Sequence, residues 1–176
     1  MPALAVHPRD LDANALAGAF GVWLESAATG SKRARVPAME SVFATSGQTV
    51  VLDATRASQL IRVGLEAGNV AELVDLLGLA KKEDLSHALN ANSTSLWRWA
   101  RDNKPLPAAT VEQILRSMQL QLFAADVFGS VEAARQWLQK PHPMLDDLSP
   151  SDFADNEFGA RKVTGILAGL KYGGVA

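Results

Sequence analysis

The 176-residue chain contains no cysteine. Disulfides, thiolate nucleophiles and cysteine-rich zinc sites are therefore excluded together, and a reducing cytoplasm is the expected compartment. No uninterrupted apolar run is long enough to span a bilayer. The run at 13–24 follows Asp10 and Asp12, where a secretory leader carries basic residues, and precedes Glu25. It reads as an amphipathic helix rather than a leader, and no membrane partner is expected. The three histidines, His7, His87 and His142, have no ligand spacing. Asp146, Asp147, Asp152, Asp155 and Glu157 crowd one stretch without the spacing of a calcium loop. There is no glycine-rich phosphate loop, and Ser149 and Ser151 have no base nearby in sequence. Nothing calls for a cofactor or a metal, so the chain reads as a binding protein rather than an enzyme.

Net charge is −2, too small to mark the whole molecule for nucleic acid or an anionic membrane. Its distribution is more informative. Residues 80–116 carry six basic against four acidic side chains, the one net-positive segment, while 117–176 carry five against seven.

Helical periodicity dominates. Residues 11–28 place Leu16, Ala19, Phe20, Trp23 and Leu24 on one face, with Asp12 as the N-cap. The segment 29–34 (TGSKRA) reads as a solvated basic loop. Residues 49–53 (TVVLD) are the good strand candidate, or an extended lead-in to the next helix. A helix is predicted over 55–67, with Leu60, Ile61, Val63 and Gly64 inward and Gly68 as the cap. A short helix at 70–77 follows, and a long one at 108–128 carries Val111, Ile114, Leu115, Met118, Leu122 and Phe123. The expected fold is mainly α.

Between these, residues 82–102 have helix-turn-helix proportions. Leu85, Ala88 and Leu89 turn inward from the first helix, and Leu96 with Trp99 or Ala100 from the second. That leaves Ser93, Thr94, Ser95, Trp97, Arg98 and Arg101 outward, with Lys104 beyond the helix end. Small hydroxyls at a helix start and guanidinium groups further along suit the DNA major groove and its phosphates. Trp97 is bulky for a groove, and its alternative place is against residues 104–106 or a partner.

The last fifty residues, 127–176, run helix, proline-punctuated connector, helix and short tail. Phe128, Ala133, Ala134, Trp137 and Leu138 stripe the first helix. The connector, 141–158, reads as extended, anchored by Pro141, Pro143, Leu145, Leu148, Pro150 and Phe153. The final helix is expected to begin at Gly159, with Val163, Ile166, Leu167 and Leu170 inward.

The set Val127, Phe128, Gly129, Ala134, Trp137, Leu138, Pro141, Leu145, Pro150, Phe153, Gly159, Ala160, Arg161, Val163, Leu167 and Gly173 resembles the toxin-binding domain of Xre/MbcA/ParS-type antitoxins. Residues 60–125 resemble that family's Xre-like helix-turn-helix core, so the resemblance spans about residues 55–174. It implies a type II antitoxin paired with a RES-domain toxin that depletes NAD or uses it for ADP-ribosylation. It also implies a C-terminal domain that holds the toxin and a chain end that blocks its NAD pocket. The helix-turn-helix domain of the family dimerises and binds its own promoter. Two departures stand out. Asp146, Asp147 and Leu148 replace a glycine-rich stretch, and Trp97, Arg98 and Trp99 replace a more basic recognition helix.

Three segments follow: an N-terminal helical extension (1–54), an Xre-like helix-turn-helix and dimerisation domain (55–126), and a small helical toxin-binding domain (127–176). Arg161, Lys162, Lys171 and Tyr172 form the expected toxin-facing polar set, with Leu170 as apolar anchor and Gly173 as slender backbone. Tyr172 has the alternative of folding back on its own domain, and Lys171 that of a solvated lysine favoured by the helix dipole. The competing function is a stand-alone helix-turn-helix transcriptional regulator without a toxin partner; a third is a structural adaptor.

Overall fold

A computed structural model describes residues 12–28, 43–46 and 49–173. The His7 position and the basic loop at 29–34 lie outside them. The fold is mainly α. Helix α1 (Ala13–Ala28) leads to a hairpin of β1 (Phe43–Ser46) and β2 (Thr49–Leu52). Then come α2 (Ala54–Val63), α3 (Leu73–Leu76), α4 (Lys82–Ala88), α5 (Ser93–Arg101), α6 (Ala108–Phe128), α7 (Val131–Gln139), α8 (Pro150–Phe153) and α9 (Glu157–Tyr172).

Helix α6 is the centre. Its buried side chains, Val111, Ile114, Leu115, Met118, Leu120, Leu122, Ala124 and Ala125, lie on nearly every face. That matches a helix packed on several sides rather than one, and α1, α2, β2, α7 and α9 all lie against it. The N-terminal helix enters this same core through Leu16, Phe20, Trp23 and Leu24. The Trp23 indole N–H donates to the Asn69 carbonyl at 2.9 Å, so a bulky aromatic is buried with its one polar atom satisfied. Asp12 caps α1 as expected, its carboxylate accepting from the Ala15 N–H at 2.8 Å.

Several expectations fail for local reasons. Residues 49–53 are a strand, but one half of a hairpin: β1 pairs antiparallel with β2, Phe43 opposite Leu52 and Ser46 opposite Thr49. Helix α2 stops at Val63 rather than 67, because Gly64 takes φ +83°, a conformation closed to most side chains. Val63, read as inward, is 36% exposed at that frayed end. The connector is not extended. It folds into a 3₁₀ turn at Pro143–Leu145 and then α8. His142 is a turn residue, its ring nitrogen accepting from the Met144 N–H at 3.2 Å. Leu148, expected to anchor, is exposed instead.

The end of α3 is clamped from α6 and α7. Arg135 donates to the Asp75 and Leu76 carbonyls at 2.9 and 3.0 Å. Gln121 donates to the Leu77 carbonyl at 2.5 Å and Gln139 to that of Gly78 at 2.9 Å. Side chains thus reach four successive carbonyls at the end of α3, Asp75 also accepting from the Gly78 N–H at 3.1 Å, with a cation at the negative end of the dipole. Burial of the Arg135 guanidinium pushes its pKa down from the ordinary arginine value.

Candidate functional site

Helix α9 starts two residues before the expected Gly159, because Asn156 caps it. The Asn156 side chain accepts from the N–H groups of Phe158 and Gly159 at 2.9 and 3.1 Å. Gly159 then falls inside the first turn, buried against α8, where a Cβ would run into the Phe153 carbonyl. The remaining inward set is Val163, Ile166 and Leu167, at i, i+3 and i+4. Their face meets α6 and α8.

The opposite face turns outward. Phe158, Arg161, Gly165, Ala168 and Tyr172 recur at spacings of three and four, which stacks them in one stripe. Phe158 is 81% exposed and Tyr172 71%, far more than large aromatic side chains of a closed core. Between them Gly165 has no atom within 4 Å of where a Cβ would stand. The result is a saddle with an aromatic at each end and a basic flank. Arg161 lies 3.4 Å from Glu157 one turn back, and the Lys162 ammonium sits 5.3 Å from the Phe153 ring centroid. Large aromatic side chains left exposed on one helix face beside basic groups are of the residue types enriched at interfaces.

Of the sequence-derived toxin-facing residues, Arg161, Lys162, Leu170, Tyr172 and Gly173 are exposed on α9 or at its end. Leu170, expected inward, is 56% exposed. Lys171 is different. Its ammonium holds the Asp126 carboxylate of α6 at 2.5 Å, with both side chains mostly buried. That hydrogen bond raises the lysine pKa above its ordinary value. The contribution to stability is therefore complete below the ordinary lysine range and is lost only as pH rises through the elevated one. Lys171 fastens the last turn of α9 to α6. Gly173, at φ +68°, ends the helix.

Phe158 was not among the expected contacts. A helix beginning at Gly159 leaves Phe158 in the connector and off the helical wheel. The Asn156 cap three residues before Gly159 was the available signal. In the connector, Asp146 and Asp147 take φ of +54° and +59°. Aspartate is among the few side chains that tolerate this region, so the two residues make the left-handed turn that glycine makes elsewhere.

Segment 82–102 forms two short helices, α4 and α5. Leu85, Leu89 and Leu96 are fully buried, Ala88 half-buried. Asn92 caps α5, accepting from the Ser95 N–H at 3.1 Å. Ser93, Thr94, Arg98, Arg101 and Lys104 are exposed and Ser95 half-buried. Trp97 packs against the core with Trp99 and Ala100. Arg101 donates to Asp102 at 2.9 Å, and Lys104 lies 3.8 Å from the same carboxylate. That hydrogen bond from Arg101 lowers the Asp102 pKa and raises that of Arg101. Asp102 thus offsets part of the positive charge at the end of α5.

Among the described residues no helix is long and apolar enough to cross a membrane. No group of three or more His, Cys, Asp or Glu is placed among them to hold a metal ion. No curated protein matches the chain. Residues 123–173, from inside α6 through the end of α9, match the family model of the antitoxin Xre/MbcA/ParS C-terminal toxin-binding domain. This match covers under a third of the chain, and it supports an antitoxin role with a toxin as partner.

Proposed function

We propose that the chain is the antitoxin of a RES-domain toxin that consumes NAD, and that it acts by binding alone. Helix α9 holds the toxin along its outward stripe, and residues 173–176, with Tyr172 at their base, occlude the NAD pocket. The observation that carries toxin binding is the coincidence of the matched toxin-binding stretch with a helix whose outer face is open and aromatic at both ends; the RES domain and its NAD pocket are what the family resemblance implies. A nucleotide pocket accommodates phosphates and ribose, so a narrow polar chain end can block it without copying the ligand. Tyr172 supplies a hydrogen-bonding aromatic there, Leu170 an apolar anchor, and Gly173 and Gly174 backbone without bulk.

Removing residues 173–176 leaves the Lys171–Asp126 pair in place, so α9 stays docked. The expected outcome is a chain that still captures the toxin but neutralises it at least tenfold less well in toxin-expressing cells. Full rescue by the shortened chain would remove the tail from the mechanism.

The α4–α5 pair supports a second role at the operon's promoter, with Ser93, Thr94 and Arg98 outward and Ser95, Arg101 and Lys104 beside them. Two copies related by a dyad would read two half-sites about one helical turn apart. The paired change Arg98→Ala with Arg101→Ala is expected to weaken a gel shift with upstream DNA, and to flatten its salt dependence by about two phosphate contacts. Toxin capture is expected to be unchanged. An unaltered shift, or no shift by the parent chain at any salt concentration, would remove promoter binding by α5.

A further inference from the structure

We infer that the N-terminal hairpin, which lies outside the matched stretch, supplies one wall of the toxin-binding surface. A groove of about 520 Å³ runs between β2, α6 and α9. Its apolar lining comes from Leu120 and Phe123 of α6, Ala160 of α9 and Val51 of β2. Its rim carries Arg161 and Tyr172, both also on the outward stripe of α9. An apolar floor within a polar rim is the anatomy of an interface hot spot, and the volume falls within the range of ordinary binding pockets.

The placement of Val51 follows from the strand. Successive side chains point to opposite faces. Leu52 packs against the core, which turns its neighbour Val51 to the groove. The charged groups differ in what they can offer. Arg116 also lines the groove, but it already donates to Gln113 and Glu112 at 2.5 and 2.9 Å. Among the described residues Arg161 pairs only with Glu157, a carboxylate that also lines the groove, at a long 3.4 Å; both side chains are exposed, so an incoming carboxylate must displace Glu157 from the guanidinium. Its guanidinium is the group able to take an incoming carboxylate as a fork.

The occupant is a loop of the toxin that lays one apolar side chain on Phe123 and Val51 and sets a carboxylate on Arg161. A toxin segment is favoured over other ligands because the groove is continuous with the exposed face of α9 at Arg161 and Tyr172, inside the stretch matched as toxin-binding. The inference rests on the proposed antitoxin role and extends it to residues that the match does not reach.

The test is toxin affinity by calorimetry, using the full chain with Val51→Glu, Val51→Lys or Val51→Thr. Both charged variants disrupt the apolar wall equally, but only glutamate repels the incoming carboxylate. Val51→Glu is expected to weaken binding at least tenfold, Val51→Lys by clearly less, and Val51→Thr by under threefold. Thermal melts of each chain accompany the titrations, and the glutamate–lysine contrast remains readable if both lose stability. Affinity within twofold of the parent for Val51→Glu would overturn the inference, as would equal loss from glutamate and lysine. A change in the oligomeric state of the isolated chain with Val51→Glu would assign the groove to a second copy and overturn it too. If the parent chain itself binds no toxin, the antitoxin role fails first, and this inference with it.

Discussion

Replacing Gly159 by alanine is expected to destabilise the chain by about 2 kcal/mol, while the same change at Gly165 stabilises it by about 1 kcal/mol. Both glycines lie in α9, and in both cases alanine improves helix propensity by a similar amount. The difference is what a methyl group meets. At Gly165 it meets open space; at Gly159 it meets the backbone carbonyl of Phe153. Backbone cannot rotate away as a side-chain tip can, so the N-terminal turn of α9 must lift from α8. The overpacking cost exceeds the propensity gain, and the sign reverses. Because Phe158 and Arg161 ride on that turn, Gly159→Ala is also expected to weaken toxin capture. Urea unfolding of the two variants measures the pair. A stabilised Gly159→Ala chain would mean that α8 and α9 do not make this contact.

Trp23→Ala carries a larger cost, about 4 kcal/mol. Trp23 is buried among the side chains of the single apolar core, and its indole N–H ties α1 to Asn69. Two further bonds stitch the same seam: the Asn69 side chain donates to Ser26 at 3.1 Å, and the Glu66 N–H to the Ala27 carbonyl at 2.9 Å. Alanine removes the ring, leaves a cavity beside α6 and leaves the Asn69 carbonyl with one donor, the Glu72 N–H at 3.0 Å. The expected result is one cooperative unfolding transition displaced to lower urea, since α1 shares its core with α6. An unchanged midpoint, or a separate early transition for α1, would show that the N-terminal helix is an appendage.

Much of this architecture is legible in the amino-acid order, and the failures have physical causes. Helices α1, α6 and α7 carry apolar stripes long enough to outweigh local noise, and Asp12 marks one start. The inward leucines of α4 and α5 follow from spacing alone. The first strand of the hairpin was missed, because FATS has no apolar alternation of its own and is held by pairing with TVVL. The early end of α2 turns on one backbone angle at Gly64. At the site, the exposure of Arg161, Lys162 and Tyr172 could be read from the helical phase of α9. The Lys171–Asp126 pair could not, since the partners stand 45 residues apart in sequence and meet through tertiary packing. The groove wall at Val51 was beyond reach for the same reason. It joins a strand and a helix more than a hundred residues apart.

If this chain disarms an enzyme by filling its cavity, the complex cannot take up that enzyme's NAD. The direct measurement is NAD binding by the toxin alone, in complex with the full chain, and in complex with the chain lacking residues 173–176. The account predicts that the full complex takes up no NAD and that the shortened complex binds it again. NAD affinity in the full complex equal to that of the free toxin would contradict it.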